Sequence, residues 1–470
     1  MNRTQQLRSL PAVDEVLRSA PVESLLQHHP QPLLAGWARD AIDHCRQQIL
    51  KDALADEADD ATLLTLVVEH VQRLQEIDAG QSIQPVINAT GVVLHTNLGR
   101  APLPQRAIER MSAATKYSNV ELDLVSGRRS KRGHRVCQLL SQLSGAEDAL
   151  VVNNCAAATI LVLQTICSGK EVIVSRGQLV EIGGGFRLPD VFRSAGVVLR
   201  EVGTTNRTYL RDYEEAINED TGAIIRVHRS NFHLSGFVTE PTIDEMVGAK
   251  RPDGLPVIDD LGSGAIEDMS HLGLPEPTVP DSVRSGADLT LFSGDKLFGG
   301  PQAGIVVGRR HWIEQLRKSP MMRALRADKT TLAALEATAE IHLSGHAFEE
   351  IPILKMLSTE SDVVKQHCET VQRAIAGTCE CEVVSSESQV GGGSIPGTVV
   401  DSFAVKIHGK NVDGLARLLR HESPAVQARV NDDCLLLNLL TVPEEDLGSM
   451  TTALCHALAR WNNDPEEPHA

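Results

Sequence analysis

A lysine set directly behind a buried strand is the residue of this sequence best placed to act as a nucleophile. In Leu289–Gly304, LTLFSGDKLFGGPQAG, an apolar run ends at Ser293 and Lys296 follows, ahead of a glycine pair. Partial desolvation lowers the pKa of an ammonium group and frees its lone pair, which is what Schiff-base chemistry requires. Ser293, three residues earlier, can turn back to bind a phosphate oxygen, and Gly299 and Gly300 let the backbone approach a flat ring. A surface lysine in a turn beside a P-loop-like glycine pair is the plainer alternative. A second segment, LPVIDDLGSG, delivers Asp259 to a strand end, with Asp260 and a glycine turn behind it. A buried carboxylate there can pair with a pyridinium nitrogen. A helix N-cap is open to the same residue, and an Asp-Asp pair suits Mg²⁺ about as well. In a third segment, ALVVNNCAAATILVLQTI, a strand ends at Val152 and a helix begins near Cys155 and Ala156. Small residues leave the first backbone N–H groups open, and the helix dipole favours an anion there. A buried helix start made of small residues is the alternative.

Three strand ends, one each for a phosphate, a ring nitrogen and an aldehyde, fit one cofactor, pyridoxal 5′-phosphate. Their order along the chain is that of the aspartate-aminotransferase-like superfamily. No metal is expected. A closer resemblance rests on INATGVVLHTNLGRAPLP (Ile87–Pro104), VEIGGGFRLPDVFRSAG (Val180–Gly196), EVGTTNRT (Glu201–Thr208), HRSNFHLSGF (His228–Phe237), IDDLGSG, FSGDKLFGGPQAGI and RALRADK (Arg323–Lys329). In content and order these motifs resemble the bacterial selenocysteine synthase, or L-seryl-tRNA(Sec) selenium transferase, family over essentially the whole chain.

The resemblance implies conversion of seryl-tRNA(Sec) to selenocysteinyl-tRNA(Sec). The seryl hydroxyl is eliminated to give aminoacrylyl-tRNA, and selenium from selenophosphate is added. Lys296 is then the Schiff-base lysine and proton shuttle, and Asp295 resembles the family's catalytic aspartate, with a loop-capping role as the alternative. Arg100, Arg323 and Arg326 are implied to line the selenophosphate site, where guanidinium forks match phosphate oxygens. The spacing of Arg323 and Arg326 puts them on one face if that segment is helical. Asn231 sits where relatives place a polar contact to the ring hydroxyl. From the residues themselves, Thr204, Thr205 and Asn206 follow a strand end and can hydrogen-bond substrate or cofactor. The resemblance also implies a ring-shaped homodecamer whose N-terminal domain grips the tRNA. A related pyridoxal-phosphate lyase or ammonia-lyase acting on a small phosphorylated amino sugar acid is the rival reading, and an extra N-terminal helical segment argues against it.

These residues need a scaffold. Short apolar runs at Ala149–Val152, Glu171–Ser175, Val197–Val202, Ala223–Val227, Val257–Asp259 and Leu289–Ser293 alternate with helical stretches. This pattern predicts an α/β domain with a mostly parallel sheet, whose ligands bind beyond the carboxyl ends of the strands. Residues 1–82 read as a separate helical domain, with helices at Leu33–Gln48 and Asp60–Asp78. Residues 83–330 read as the cofactor-binding domain. Residues 331–470 read as a smaller α+β domain with helices at Thr331–Ser344, Ser361–Ile375, Val412–Leu419 and Glu445–Trp461 and a frayed tail from Asn462. Among 470 residues, aromatics make up only 3%, so the core must be aliphatic. The net charge of −17 excludes a protein whose whole surface coats nucleic acid. The cluster Arg128, Arg129, Lys131, Arg132 and Arg135 is the best local candidate for tRNA phosphates, a solvated loop being the alternative. Nine scattered cysteines point to reduced thiols. Without a long apolar run or an apolar leader, neither a membrane span nor secretion is expected, and the expected location is cytoplasmic.

Overall fold

The computed structural model describes residues 3–51, 59–182 and 185–463. The expected fraying of the tail falls largely on 464–470, outside the described residues, as do positions 183–184 of the VEIGGGF motif. The chain divides into two compact units, Met1–Pro85 and Val86–Ala470.

The first unit is helical. Short helices at Arg3–Arg8, Val13–Arg18 and Ala20–Leu25 lead into two long ones, Gln31–Leu50 and Asp60–Gln81. Asp59 starts the last by accepting the Thr62 N–H at 2.9 Å, which satisfies one of the unpaired donors of a helix start. Leu34, Trp37, Ala38 and Ala41 of one long helix are buried with Val67, Val68 and Val71 of the other. Each fully buried aliphatic side chain contributes about 1.5–3 kcal/mol.

The second unit is built on a seven-stranded sheet. Its spatial order is Asp148–Val152, Gly304–Gly308, Leu289–Ser293, Val257–Gly262, Thr221–Val227, Glu171–Ser175 and Val198–Val202. All strands are parallel except Gly304–Gly308, which runs antiparallel to both neighbours. Helices cover both faces, so the strands read as continuous apolar runs instead of alternating ones. Leu150, Val174, Ile225, Ile258 and Leu291 face the helix Cys155–Cys167 and its neighbours. Val151, Leu261, Phe292 and Ile305 face the opposite way, towards His134–Ser144 and Lys329–Ser344. The parallel strands therefore deliver Val152, Ser175, Val202, Val227, Gly262 and Ser293 to one edge of the sheet.

The remainder closes around a five-stranded sheet in the order Arg429–Asn431, Cys434–Asn438, Val399–His408, Glu380–Gly391 and Val92–Leu94. A second early strand, Val86–Asn88, pairs in parallel with Ala425–Gln427. The segment carrying the TNLGR motif, taken in the sequence with the cofactor-binding region, thus hydrogen-bonds to strands more than 290 residues further on. Its own three-residue strands are too short to announce that pairing.

Candidate active site

Lys296 sits in a tight turn behind the strand Leu289–Ser293 and is 8% exposed. The turn is closed by bonds from Gly299 N–H to the Lys296 carbonyl and from Gly300 N–H to the Gly294 carbonyl, both 2.8 Å. Leu297 N–H donates to the Ser263 carbonyl at 2.9 Å, which ties the turn to the neighbouring strand end. Burial holds the Lys296 ammonium below the ordinary lysine value, and Arg100 pushes the same way, while Cys155, Asp295 and Asp260 oppose it. Gly299 and Gly300 do not open room for a ring: the space beside them is filled by Ile351 and Ile353 and by Phe298. The glycines that face the lysine are Gly262, where a Cβ would lie 3.7 Å from Nζ, and Gly393 from the C-terminal region.

The two aspartates of IDDLGSG separate. Asp259 shares the sheet face of Val257 and Leu261. It is fully buried and held by Arg226 through two bonds of 2.8 Å, and by the Ser282 hydroxyl at 2.6 Å. Asp260 lies on the other face with Ile258, because side chains alternate along a strand. Its carboxylate meets the Thr159 hydroxyl at 3.1 Å and the Cys155 thiol at 3.9 Å. Burial raises its pKa to about 6. Asp260, not chosen in the sequence, therefore lies within electrostatic reach of Lys296, and Asp259, the residue chosen there, is held by Arg226 and Ser282.

At the start of the helix Cys155–Cys167, the Asn154 side chain accepts from Ala157 N–H at 2.9 Å and its carbonyl from Ala158 N–H at 3.1 Å. The N–H groups of Cys155 and Ala156 stand ahead of these and are drawn to no partner among the described residues. Ser293 is buried at the adjoining strand end beside the Cys155 thiol, which burial pushes well above the ordinary cysteine value, with the Ser293 hydroxyl opposing that rise.

Asp295 is buried, and Arg100 Nη1 donates to its Oδ2 at 2.7 Å. Arg100 takes a left-handed backbone conformation, with φ of 63°, to reach it. Arg323 and Arg326 line a cavity of about 560 Å³ together with Arg129, Lys131, Arg132 and the carboxylate of Glu121. The helix there ends at Leu325, so Arg326 lies beyond it in extended backbone and the two do not share a helical face. Neither Arg100 nor Lys296 lines that cavity. In the basic cluster, Arg129 bonds Glu121 at 2.7 Å, Arg132 holds the Ala327 carbonyl at 2.9 Å and Arg135 pairs with Glu340 at 3.7 Å.

One expected group lies apart from Lys296, and another is bonded to neighbouring backbone. Thr204 closes its own turn with Arg207, and Thr205 and Asn206 continue that exposed loop behind the edge strand Val198–Val202. That strand is four places from Leu289–Ser293, about 19 Å at ~4.8 Å per strand. Asn231 is exposed and donates to the Glu181 carbonyl at 2.6 Å.

Buried side-chain atoms with no partner among the described residues include Ser263 Oγ, Arg100 Nε, His95 Nδ1 and Ser394 Oγ. Ser263 is bonded to the lysine turn and Arg100 to Asp295, while His95 and Ser394 lie on the segments that hold Arg100 and Gly393. Such orphans are rare in folded proteins, and a bound group at this place would complete the bonding of these four. Cationic, acidic and open N–H groups converge here as a phosphorylated pyridine aldehyde needs. No cluster of three or more His, Cys, Asp or Glu able to hold a metal occurs among the described residues. No described helix is long and apolar enough to cross a membrane.

The fold is shared with D-glucosaminate-6-phosphate ammonia-lyase, at a TM-score of 0.55 and 20% identity over 83% of this chain and 98% of that one. The sequence is 41% identical to an L-seryl-tRNA(Sec) selenium transferase of Carboxydothermus hydrogenoformans, covering 94% of this chain and 95% of the relative. It is 42% identical to those of Clostridium botulinum (strain Okra) and Geotalea daltonii, over 95% of this chain and 97% and 98% of theirs. The family model for selenocysteine synthase N-terminal regions matches residues 7–46, and that for L-seryl-tRNA selenium transferase matches residues 86–443. With both models in place along nearly the whole chain, this protein belongs to the L-seryl-tRNA selenium transferase family.

Proposed function

We propose that this protein converts L-seryl-tRNA(Sec) to L-selenocysteinyl-tRNA(Sec), with pyridoxal 5′-phosphate as cofactor and selenophosphate as selenium donor. The observation that carries this reading is the convergence of buried Lys296 and buried Asp260, each within the other's electrostatic reach, at the open start of the helix Cys155–Cys167. Bound there, the cofactor supplies an electron sink that makes the seryl Cα proton removable and the β-hydroxyl expellable. Lys296 Nζ would hold the aldehyde, and its free amine would carry the seryl Cα proton. Asp260, in place of Asp259, holds the proton of the ring nitrogen. The N–H groups of Cys155 and Ala156 and the Ser293 hydroxyl receive the phosphate. Asp295, aimed by Arg100, handles the proton that leaves with the seryl hydroxyl. Arg323 and Arg326 bind the donor in a cavity where cations outnumber the one carboxylate.

Residues 1–82 grip the tRNA in this reading, 83–330 hold the cofactor and 331–470 form the smaller closing domain. The assembly is a ring-shaped homodecamer, for which the exposed Tyr117, Leu124 and Val125 offer apolar surface to cover. A tRNA substrate implies the cytoplasm. An ammonia-lyase acting on a phosphorylated amino sugar acid has the shared fold in its favour and leaves the N-terminal match unexplained. Incubation with seryl-tRNA(Sec) and selenophosphate, followed by analysis of the aminoacyl product, tests the proposal. Selenocysteine on the tRNA is the expected result, and serine left unchanged would refute it.

A further inference from the structure

The wall facing Lys296 opposite the sheet comes from a loop that no motif above includes. In Gly391–Ser394, Gly393 has φ of +93°, and a Cβ there would fall 2.5 Å from Lys296 Cε and 2.6 Å from Nζ. The loop is held in place by strand pairing of Gln389 with Val92 and Gly391 with Leu94, and by Gly392 N–H donating to the Leu94 carbonyl at 3.3 Å. A Cβ on Gly391 would meet the Leu94 carbonyl oxygen at 2.7 Å, and one on Gly392 would meet the Thr96 methyl at 2.9 Å. Three successive glycines thus bring this backbone against the segment that carries Arg100 and against the reactive lysine. Next to them Ser394 is fully buried, and its hydroxyl has no partner among the described residues. The groups that suit the cofactor, Cys155, Ala156, Asp260 and Ser293, all come from the sheet edge, which leaves this wall to the substrate.

Its chemistry is selective. From Gln389 to Thr398 the sequence QVGGGSIPGT contains no charged residue, and the nearby cation of Arg100 is engaged by Asp295. A free amino acid presents a carboxylate, whose burial against an uncharged wall is costly. An aminoacyl ester presents a neutral carbonyl, which one hydroxyl donor satisfies.

We propose that Gly391–Ser394 is the acyl-ester subsite of this enzyme, in which Gly393 makes room beside Lys296 and Ser394 Oγ donates to the ester carbonyl of the substrate. This rests on the reading of the substrate as a seryl ester of tRNA. Holoenzyme is titrated with L-serine methyl ester and with L-serine while the cofactor's visible band is followed, in the wild type and in Ser394→Ala and Ser394→Thr. The wild type should respond to the ester at a concentration at least about tenfold below that for serine, as one hydrogen bond and one avoided buried charge imply. Ser394→Ala should lose about tenfold in the ester response with its visible band unaltered, and Ser394→Thr should restore part of it. Equal response to serine and ester overturns the ester subsite, and a preference unchanged in Ser394→Ala overturns Ser394 as the donor. If neither small ligand perturbs the band, kcat/KM for seryl-tRNA(Sec) decides, and equal values for the wild type and Ser394→Ala refute the proposal. Failure of wild-type enzyme to act on seryl-tRNA(Sec) at all is a separate outcome, which removes the substrate reading on which the subsite rests.

Discussion

Asp259 and Asp260 are consecutive residues of one strand, and they work on opposite faces of the sheet. Arg226 and Ser282 hold the first, while Thr159 and Cys155 meet the second beside Lys296. Their substitutions should therefore separate stability from catalysis. Asp259→Ala leaves Arg226 without its buried partner and should cost about 3–5 kcal/mol of stability, read as a lower midpoint in urea unfolding. Asp260→Ala should not lower the unfolding midpoint and should lose about 10²–10³-fold in turnover. The reverse pattern would return the ring-nitrogen role to Asp259.

The same burial gives a pH signature in the cofactor-free protein. Asp260 has its pKa raised to about 6 from 3.8, so the folded state keeps a proton that the unfolded state has already lost. Stability from this group is full below about pH 4 and falls as the pH rises to about 6. Asp260→Asn removes the titration. Its unfolding midpoint relative to wild type should therefore rise across this window, and parallel pH profiles would show that Asp260 is not buried as described.

Lys296 should carry the cofactor. Borohydride reduction of holoenzyme followed by peptide mapping is expected to place the pyridoxyl label on Lys296, whose ammonium is held low by burial. A label on Lys170 or on Lys329, whose Nζ donates to the Thr115 carbonyl at 3.0 Å, would contradict the assignment.

Arg323→Ala should weaken use of selenophosphate by about 10- to 100-fold, since each charge-assisted hydrogen bond contributes about 1.5–3 kcal/mol. Arg323→Lys should recover part of the loss, because an ammonium lacks the two-pronged contact. The spectral response to seryl-tRNA(Sec), which needs no donor, should survive in both. If that response disappears in Arg323→Ala, the cavity serves the tRNA or the cofactor instead.

A chain beginning at Ser82 should keep its visible cofactor band and lose most of its affinity for tRNA, measured by filter binding. Unchanged affinity would move tRNA recognition into the remaining residues, with the basic side chains of 128–135 as the first place to look.

The sequence by itself determined the alternation of strands and helices and the position of Lys296. Apart from the exposed edge strand Val198–Val202, the main-sheet strands are largely buried runs rich in branched aliphatic residues between glycine or polar turns, and such local patterns survive without knowledge of neighbours. Glu171–Ser175 and Leu289–Ser293 fall where those runs place them. The choice between Asp259 and Asp260 was not legible, because both faces of this strand are covered and the period-two alternation has no polar side to set its phase. That choice was made by the Arg226 pair on one face and the helix Cys155–Cys167 on the other. Arg100 and Gly393 reach the lysine only because Val92–Leu94 pairs with Glu380–Gly391 across almost 300 residues. A pairing of that range leaves no local trace in either segment. Tertiary structure alone brought the glycine loop, the arginine and the lysine to one place.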